Sequence, residues 1–173
     1  MFRDWRESDI DQLVALCNAH DSAIDPEFED SSAEEIKEEL SGFYDEVMAQ
    51  VFEDNDVITD LVTAQVDKKR ERVEIDVFGL PERHDYARSF ELALKWTNEH
   101  YANFEKRAMC NSRDIELRAA IEAIGFQLVR RYWTMRNHVP NSSFPKLPKG
   151  VAIRQADFNS ERAAWHRLLM DSF

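Results

Sequence analysis

Glu74 and Asp76 stand two residues apart in the stretch Val73-Glu-Ile-Asp-Val-Phe-Gly79, where the β-branched Val73, Ile75 and Val77 alternate with Glu74, Asp76 and Phe78. That period is a strand's, and it puts both carboxylates on one face. Two carboxylates held together away from water cannot both ionise freely, so one is pushed towards a pKa useful for accepting a proton. The opposing reading is that this face meets solvent, or pairs with the basic turn Lys68-Lys-Arg-Glu-Arg72, and does no chemistry. Just beyond, Pro81 stops the strand because it has no N–H for a ladder. Tyr86, Phe90, Ala93 and Leu94 then recur at helical spacing. A strand that turns straight into a helix presents several free backbone N–H groups to an anion such as a phosphate. One stretch thus offers an anion cradle and a carboxylate pair.

Other reactive side chains are scattered. His20, His84, His100, His138 and His166 show no metal-ligand spacing, so they read as surface or packing residues, and no metal is expected. Cys17 and Cys110 lie in apolar surroundings without a paired histidine, and Cys110 is expected to pack in the sheet. Two unpaired cysteines and a charged N-terminus, Met1-Phe-Arg-Asp-Trp-Arg6, point to a reducing cytoplasm and not to secretion. No apolar run approaches the roughly 18 residues that span a bilayer. A net charge of −12 repels nucleic acid and anionic membrane, and it favours a cationic partner such as an amine. It also serves simply to keep acidic helix faces in solution.

The elements that must position these groups follow from periodicity and caps. Phe2–Arg6 predicts a short strand, and Ser8 caps a helix striped by Ile10, Leu13, Val14 and Cys17. Ser32-Ala-Glu-Glu35 is a capping box opening an acidic helix that Gly42 should end. Strands at 46–52 and 57–66 flank Asp54-Asn-Asp56, whose residues tolerate left-handed turns. The hairpin-length links predict three consecutive antiparallel strands. After a helix to about His100 come a strand at 106–110, a helix begun by Ser112 or Asp114 and stopped by Gly125, and a last strand at 126–139. The order β–α–α–β–β–β–α–β–α–β describes a mixed α/β sandwich of residues 1–139. Pro140, Pro145 and Pro148 mark 140–150 as a linker. Beyond it, 151–157 predicts a strand and 160–169 a helix. Arg154-Gln-Ala-Asp157 there matches Arg6-Glu-Ser-Asp9, the R-x-x-D of an internal repeat, which makes 151–173 the opening of a second domain.

This element order, the strand–Pro–helix turn and the closing helix–Gly125-Phe126 together resemble the GNAT superfamily of N-acetyltransferases over residues 1–138. Arg130-Arg-Tyr-Trp-Thr-Met135, the Pro-rich linker and the restarted R-x-x-D look like the N-terminal half of tandem-GNAT proteins, of which mycothiol-synthase-like acetyltransferases are an example. The resemblance implies an α/β (α+β) fold with a mixed, mostly antiparallel sheet flanked by helices on both faces. It also implies acetyl-CoA as co-substrate and a small-molecule amine as acceptor. In the family, Q/R-x-x-G-x-G/A after the strand binds the pyrophosphate. The matching window here is His84-Asp-Tyr-Ala-Arg-Ser89, with Phe78, Gly79, Leu80, His84, Asp85, Tyr86, Ala87, Arg88 and Ser89 as cofactor-binding candidates. Asn111 resembles the family's asparagine near the thioester, and is equally a helix-start residue beside Ser112. Glu74 and Asp76 become the candidates for the base that deprotonates the amine. The glycines of the window are gone, and Asp85 opposes an anion. Ile121 stands where the family carries the tyrosine that protonates the leaving thiolate. The resemblance therefore implies a domain that is degenerate, or alternatively a non-catalytic acyl-CoA-binding or homodimerising module.

Overall fold

The computed structural model describes residues 1–41, 44–132, 148–152, 154 and 157–172. They fall into two units, Met1–Arg130 and Arg131–Phe173.

In the first unit β1 (Phe2–Asp4) leads through a 3-10 turn (Glu7–Asp9) into α1 (Ile10–Ile24) and α2 (Ala33–Ser41). Three strands follow, β2 (Glu46–Asp54), β3 (Val57–Asp67) and β4 (Arg72–Gly79), then α3 (Tyr86–His100), β5 (Glu105–Ala108) and α4 (Ile115–Ala123). The sheet order is β1-β2-β3-β4-β5, antiparallel except for the β4–β5 pair. That parallel pair needs a crossover, which α3 supplies.

Alternation decides which side chain meets which helix. Val73, Ile75 and Val77 join Val62, Ala64 and Val66 of β3 against Phe90 and Ala93 of α3 and Leu117 and Ile121 of α4. On the other face Val51, Leu61 and Ile58 meet Leu13, Leu16 and Cys17 of α1 and Ile36 and Leu40 of α2. β3 lies at the centre and is buried from Ile58 to Val66. The α/β sandwich with helices on both faces is the architecture expected from the sequence.

Local signals act as read, with corrections. Asn55 and Asp56 have φ of +52° and +62° and close the β2–β3 hairpin. The Ser32–Glu35 box forms, with Ser32 N–H donating to Glu35 Oε2 at 2.7 Å and Glu35 N–H to Ser32 Oγ at 3.3 Å. Gly125 takes φ +94°, and the N–H groups of Gly125 and Phe126 donate to Glu122 and Ile121 carbonyls, a Schellman end for α4. Ser8 is not the N-cap of α1. Asp9 ties that turn instead, accepting from Arg6 N–H at 2.8 Å and from both terminal nitrogens of Arg3. Cys110 lies past the end of β5 and is exposed, not packed in the sheet.

The strand expected at 126–139 is absent from its described part, 126–132. The α4 terminus takes the Phe126 N–H, and the Phe126 ring turns inward to lie 6.5 Å from Phe90, so the chain leaves the ladder direction there. The remainder of that strand, and Gly42, lie outside the described residues.

In the second unit Pro148 to Gly150 form a turn, and α5 runs Phe158–Ser172. Residues 151, 152, 154 and 157 carry no strand; 153, 155 and 156 lie outside the described set. The two R-x-x-D copies differ locally. Asp9 accepts the Arg6 N–H, whereas in the second copy Glu161 accepts the Asp157 N–H at 2.9 Å and binds Arg154.

Candidate functional site

β4 and β5 pair only from Arg72↔Glu105 to Ile75↔Ala108, while β4 continues to Gly79. Among the described residues, Asp76 to Gly79 thus have no paired strand on that side. This opening is walled by the N-terminal ends of α3 and α4, and it is where the anion cradle was expected.

The cradle is filled by the chain's own groups. Asp85 is the N-cap of α3 and accepts the Arg88 N–H at 3.1 Å. Beneath it Asp60, fully buried, accepts from Asp85 N–H at 2.9 Å, from Thr59 Oγ at 2.7 Å and from Ser89 Oγ at 3.4 Å. Asp60 reaches α3 because β3 carries a bulge: Phe52 faces Asp60 and Glu53 faces Ile58, leaving Thr59 as the extra residue. Two carboxylates therefore already occupy the end of the helix that attracts anions. Ser89 points inward at Asp60, Ala87 is exposed, and Arg88 lies over the Phe52 ring at 3.5 Å, towards β2.

His84 occupies the space beside the strand end. Its Nδ1 donates to the Leu80 carbonyl at 3.0 Å, its Nε2 lies 3.0 Å from Glu116 of α4, and its ring stacks on Tyr86 at 4.0 Å. Gly79 is a glycine for this neighbour, since a Cβ there would lie 2.3 Å from His84 Cβ. Gly79→Ala is expected to cost about 1–3 kcal/mol by overpacking. Because the clash is with Cβ, His84→Gly should recover more of that loss than His84→Ala, read from urea denaturation midpoints.

A second buried group joins α1, α3 and α4. Gly79 N–H donates to His20 Nδ1 at 3.4 Å, so the ring carries its proton on Nε2, 4.0 Å from Asp114. The Tyr86 hydroxyl lies 3.3 Å from His20 Nδ1 and 3.4 Å from Asp114 Oδ2, and Asp114 also caps α4 through the Leu117 N–H at 2.8 Å. Burial, followed by the Asp114 charge, raises the Tyr86 pKa far above its usual value, so the hydroxyl holds its proton. His20 had a sequence signal: Leu13, Leu16, Cys17 and His20 form the buried stripe of α1. Phe78 packs on His20 at 5.5 Å, and the Leu80 N–H is taken by the Thr59 carbonyl at 2.8 Å. Asn111 is exposed, with its side chain accepting Arg113 N–H at 3.0 Å in the turn into α4, the helix-start role.

The carboxylate pair lies on the α1/α2 face and divides into two unlike members. Glu74 accepts from Tyr44 Oη at 3.1 Å and meets Arg72 at 3.5 Å, as the pairing alternative foresaw. Asp76 has no hydrogen-bond or ion-pair partner among the described residues, and its pKa is raised to about 6 by burial, then by the charges of Glu39 and Glu74. Glu39 is likewise raised, by burial and then by the charges of Asp21 and Glu35. Burial also raises Asp21, with His20 opposing the rise and Asp25 adding to it. Chemically, Asp76 is a carboxylate able to take a proton near neutrality, set in a field of negative charge. The described residues hold no cluster of metal-ligating side chains, and no described helix is long and apolar enough to cross a membrane.

Solved structures share this architecture. A GCN5-related N-acetyltransferase from Sphaerobacter thermophilus matches 100% of this chain and 58% of its own, with a TM-score of 0.74 and 15% identity. The aminoglycoside N-acetyltransferase AAC(6')-Iy, in complex with CoA, matches 80% of this chain and 95% of its own, with a TM-score of 0.55 and 15% identity. PaiA N-acetyltransferase from Thermoplasma acidophilum, also with coenzyme A, covers 75% of this chain and 90% of its own, with a TM-score of 0.56 and 9% identity. At such identities it is the fold that is shared: the five-stranded, mostly antiparallel sheet is that of the GCN5-related N-acetyltransferases. No family model matches the chain, and no curated protein does.

Proposed function

We propose that this chain is a degenerate GNAT domain belonging to a protein that transfers acetyl from acetyl-CoA to an amine, its own cofactor groove closed by its own side chains. The observation that carries this reading is the α3 N-terminus, already satisfied by the Asp85 cap and the buried Asp60. Those residues do not fit a pyrophosphate. A helix terminus contributes only about 0.3–1 kcal/mol per charge, and two carboxylates oppose the incoming anion. His84 and Glu116 fill the adjoining space, and Ile121 has no proton to give.

Isothermal titration with acetyl-CoA tests the reading. The expected result is no binding tighter than about millimolar, or roughly −4 kcal/mol. A micromolar Kd overturns it. Asp85→Asn keeps a good N-cap while removing the charge, so it should tighten whatever binding exists by about two- to fivefold.

The tandem arrangement belongs to the same proposal: 1–139 as one GNAT-like domain, 140–150 as linker, and 151–173 as the start of a second. Its support is α5 after the linker, and a structural neighbour that accommodates the whole chain within 58% of its own length. One observation favours a second reading, a domain active by itself: Asp76, with its pKa near 6, is suited to take a proton from an ammonium group. Thiol release from acetyl-CoA with an amine panel, abolished in Asp76→Asn, would establish that reading.

A further inference from the structure

On the α1/α2 face of the sheet, polar side chains stand without a hydrogen-bond partner among the described residues. Thr63 is 4% exposed and its Oγ1 is buried without a hydrogen-bond partner. Buried hydroxyls are ordinarily paired, and an orphan costs roughly 1–3 kcal/mol. Thr63 stands directly opposite Asp76 across β3 and β4, so both side chains point to the same face. Asp76, likewise without a hydrogen-bond or ion-pair partner among the described residues, sets a charge-bearing carboxylate opposite that hydroxyl. The groups around them are acidic too: Glu39 from α2, Glu74 from β4 with the Tyr44 hydroxyl bound to it, and Asp21 from α1 next to Glu39. Arg72 is engaged with Glu74 and with Glu105. Glu39 also lines a depression of about 290 Å³ with Ser31, Glu35, Ile36 and Glu38, continuing the acidic surface along α2.

We propose that this face is a binding site for an alkyl oligo-ammonium ligand, a diamine or longer polyamine, which one ammonium group enters at Asp76 and Thr63. An ammonium has three donors. Asp76 supplies the charge-assisted acceptor and Thr63 Oγ1 a neutral one at the floor of the site. The second positive charge of the ligand lies against Glu39, and a longer chain extends along the acidic wall of α2. A monoamine would satisfy the floor and leave the outer carboxylates uncompensated, so the site selects for at least two charges. Binding needs no acetyl group and no cofactor. The proposal rests on the amine-directed reading of the domain for its biological sense, but its test does not involve acetyl-CoA, so the two fail separately.

The experiment is calorimetric titration of the full chain with spermidine, putrescine and butylamine at pH 8 and low salt. Spermidine is expected to bind best and butylamine at least tenfold more weakly. A chain of net charge −12 also attracts polycations without any site, and Thr63→Val separates the two cases because it changes no charge. Thr63→Val should weaken spermidine about three- to tenfold, Asp76→Asn about tenfold or more, and Thr63→Ser should bind like the wild type. Glu34→Gln, on the exposed side of α2, should leave affinity unchanged. Thermal melts of each variant show whether Thr63→Val is folded, and Thr63→Ser with Asp76→Asn carries the test if it is not. Equal affinity in wild type, Thr63→Val and Asp76→Asn overturns the proposal in favour of diffuse charge. Butylamine binding as tightly as spermidine, or no spermidine heat at all, overturns it as well.

Discussion

Replacing Asp60 with alanine is expected to lower the unfolding midpoint of the Met1–Arg130 unit by roughly 10 °C or more, the largest loss foreseen for any single side chain here. Asp60 is 0% exposed, and its two oxygens accept from the Asp85 N–H, the Thr59 hydroxyl and the Ser89 hydroxyl, with Arg88 at 3.9 Å. Alanine removes the acceptor and leaves these donors buried with nothing to replace water. Breaking a buried charged network from one side costs about 3–5 kcal/mol, and each kcal/mol moves the midpoint of a domain near this size by about 2–4 °C or slightly more. Asp60→Asn retains one acceptor oxygen and the side-chain shape, so it should fall between wild type and alanine. Ser89→Ala should cost little, because its 3.4 Å contact is the longest of the three. Circular dichroism melts decide the matter. A midpoint for Asp60→Ala within about 3 °C of wild type would mean that the carboxylate does not hold the β4–α3 turn.

Asp60 also marks where sequence reading stopped short. Its elements were legible because each is set by a local rule: alternation in β4, the capping box of α2, the Asn55-Asp56 hairpin and the Gly125 helix end all act over a few residues. Asp60 depends on a bulge at Thr59, which alternation does not reveal. The one available signal was an acid in the middle of Val57-Ile-Thr-Asp-Leu-Val-Thr-Ala-Gln-Val66, a run otherwise suited to a central strand. The strand–helix turn, its missing glycines and the opposing Asp85 were legible in the sequence; the groups that join Asp85 and His84 there from β3 and α4 were not. Glu74 and Asp76 were indistinguishable by spacing. Tyr44 and Arg72 separate them in space by engaging Glu74, while Asp76 has no partner among the described residues. Thr63, Glu39 and Asp21 were invisible for the same reason: each matters through a neighbour far away in sequence.

That unpartnered carboxylate leads to an opposite expectation, a substitution that stabilises. Asp76 has a folded-state pKa of about 6 against an ordinary value of 3.8, raised first by burial and then by Glu39 and Glu74. Between these two values the folded protein binds a proton that the unfolded chain has already released. Stability therefore falls as pH rises from about 4 to about 6, and the penalty stays in full above that. The groups facing Asp76 act in the same direction: Glu39 on α2 is itself raised, as is Asp21 beside it, and the Tyr44 hydroxyl is pushed up to about 12 by burial and by Glu74. Arg72, a cation on this strand, is held at Glu74. Asp76→Asn should thus gain about 1–3 kcal/mol at pH 8 and close to nothing at pH 4, flattening the pH dependence. Melts of both proteins at pH 4, 6 and 8 measure it, and a variant no more stable than wild type at pH 8 would show that Asp76 is satisfied after all. The sign matters for function. A fold that retains a destabilising charge at neutral pH retains a place where a cation is worth binding, so spermidine should raise the wild-type midpoint at pH 8 and leave Asp76→Asn nearly unmoved.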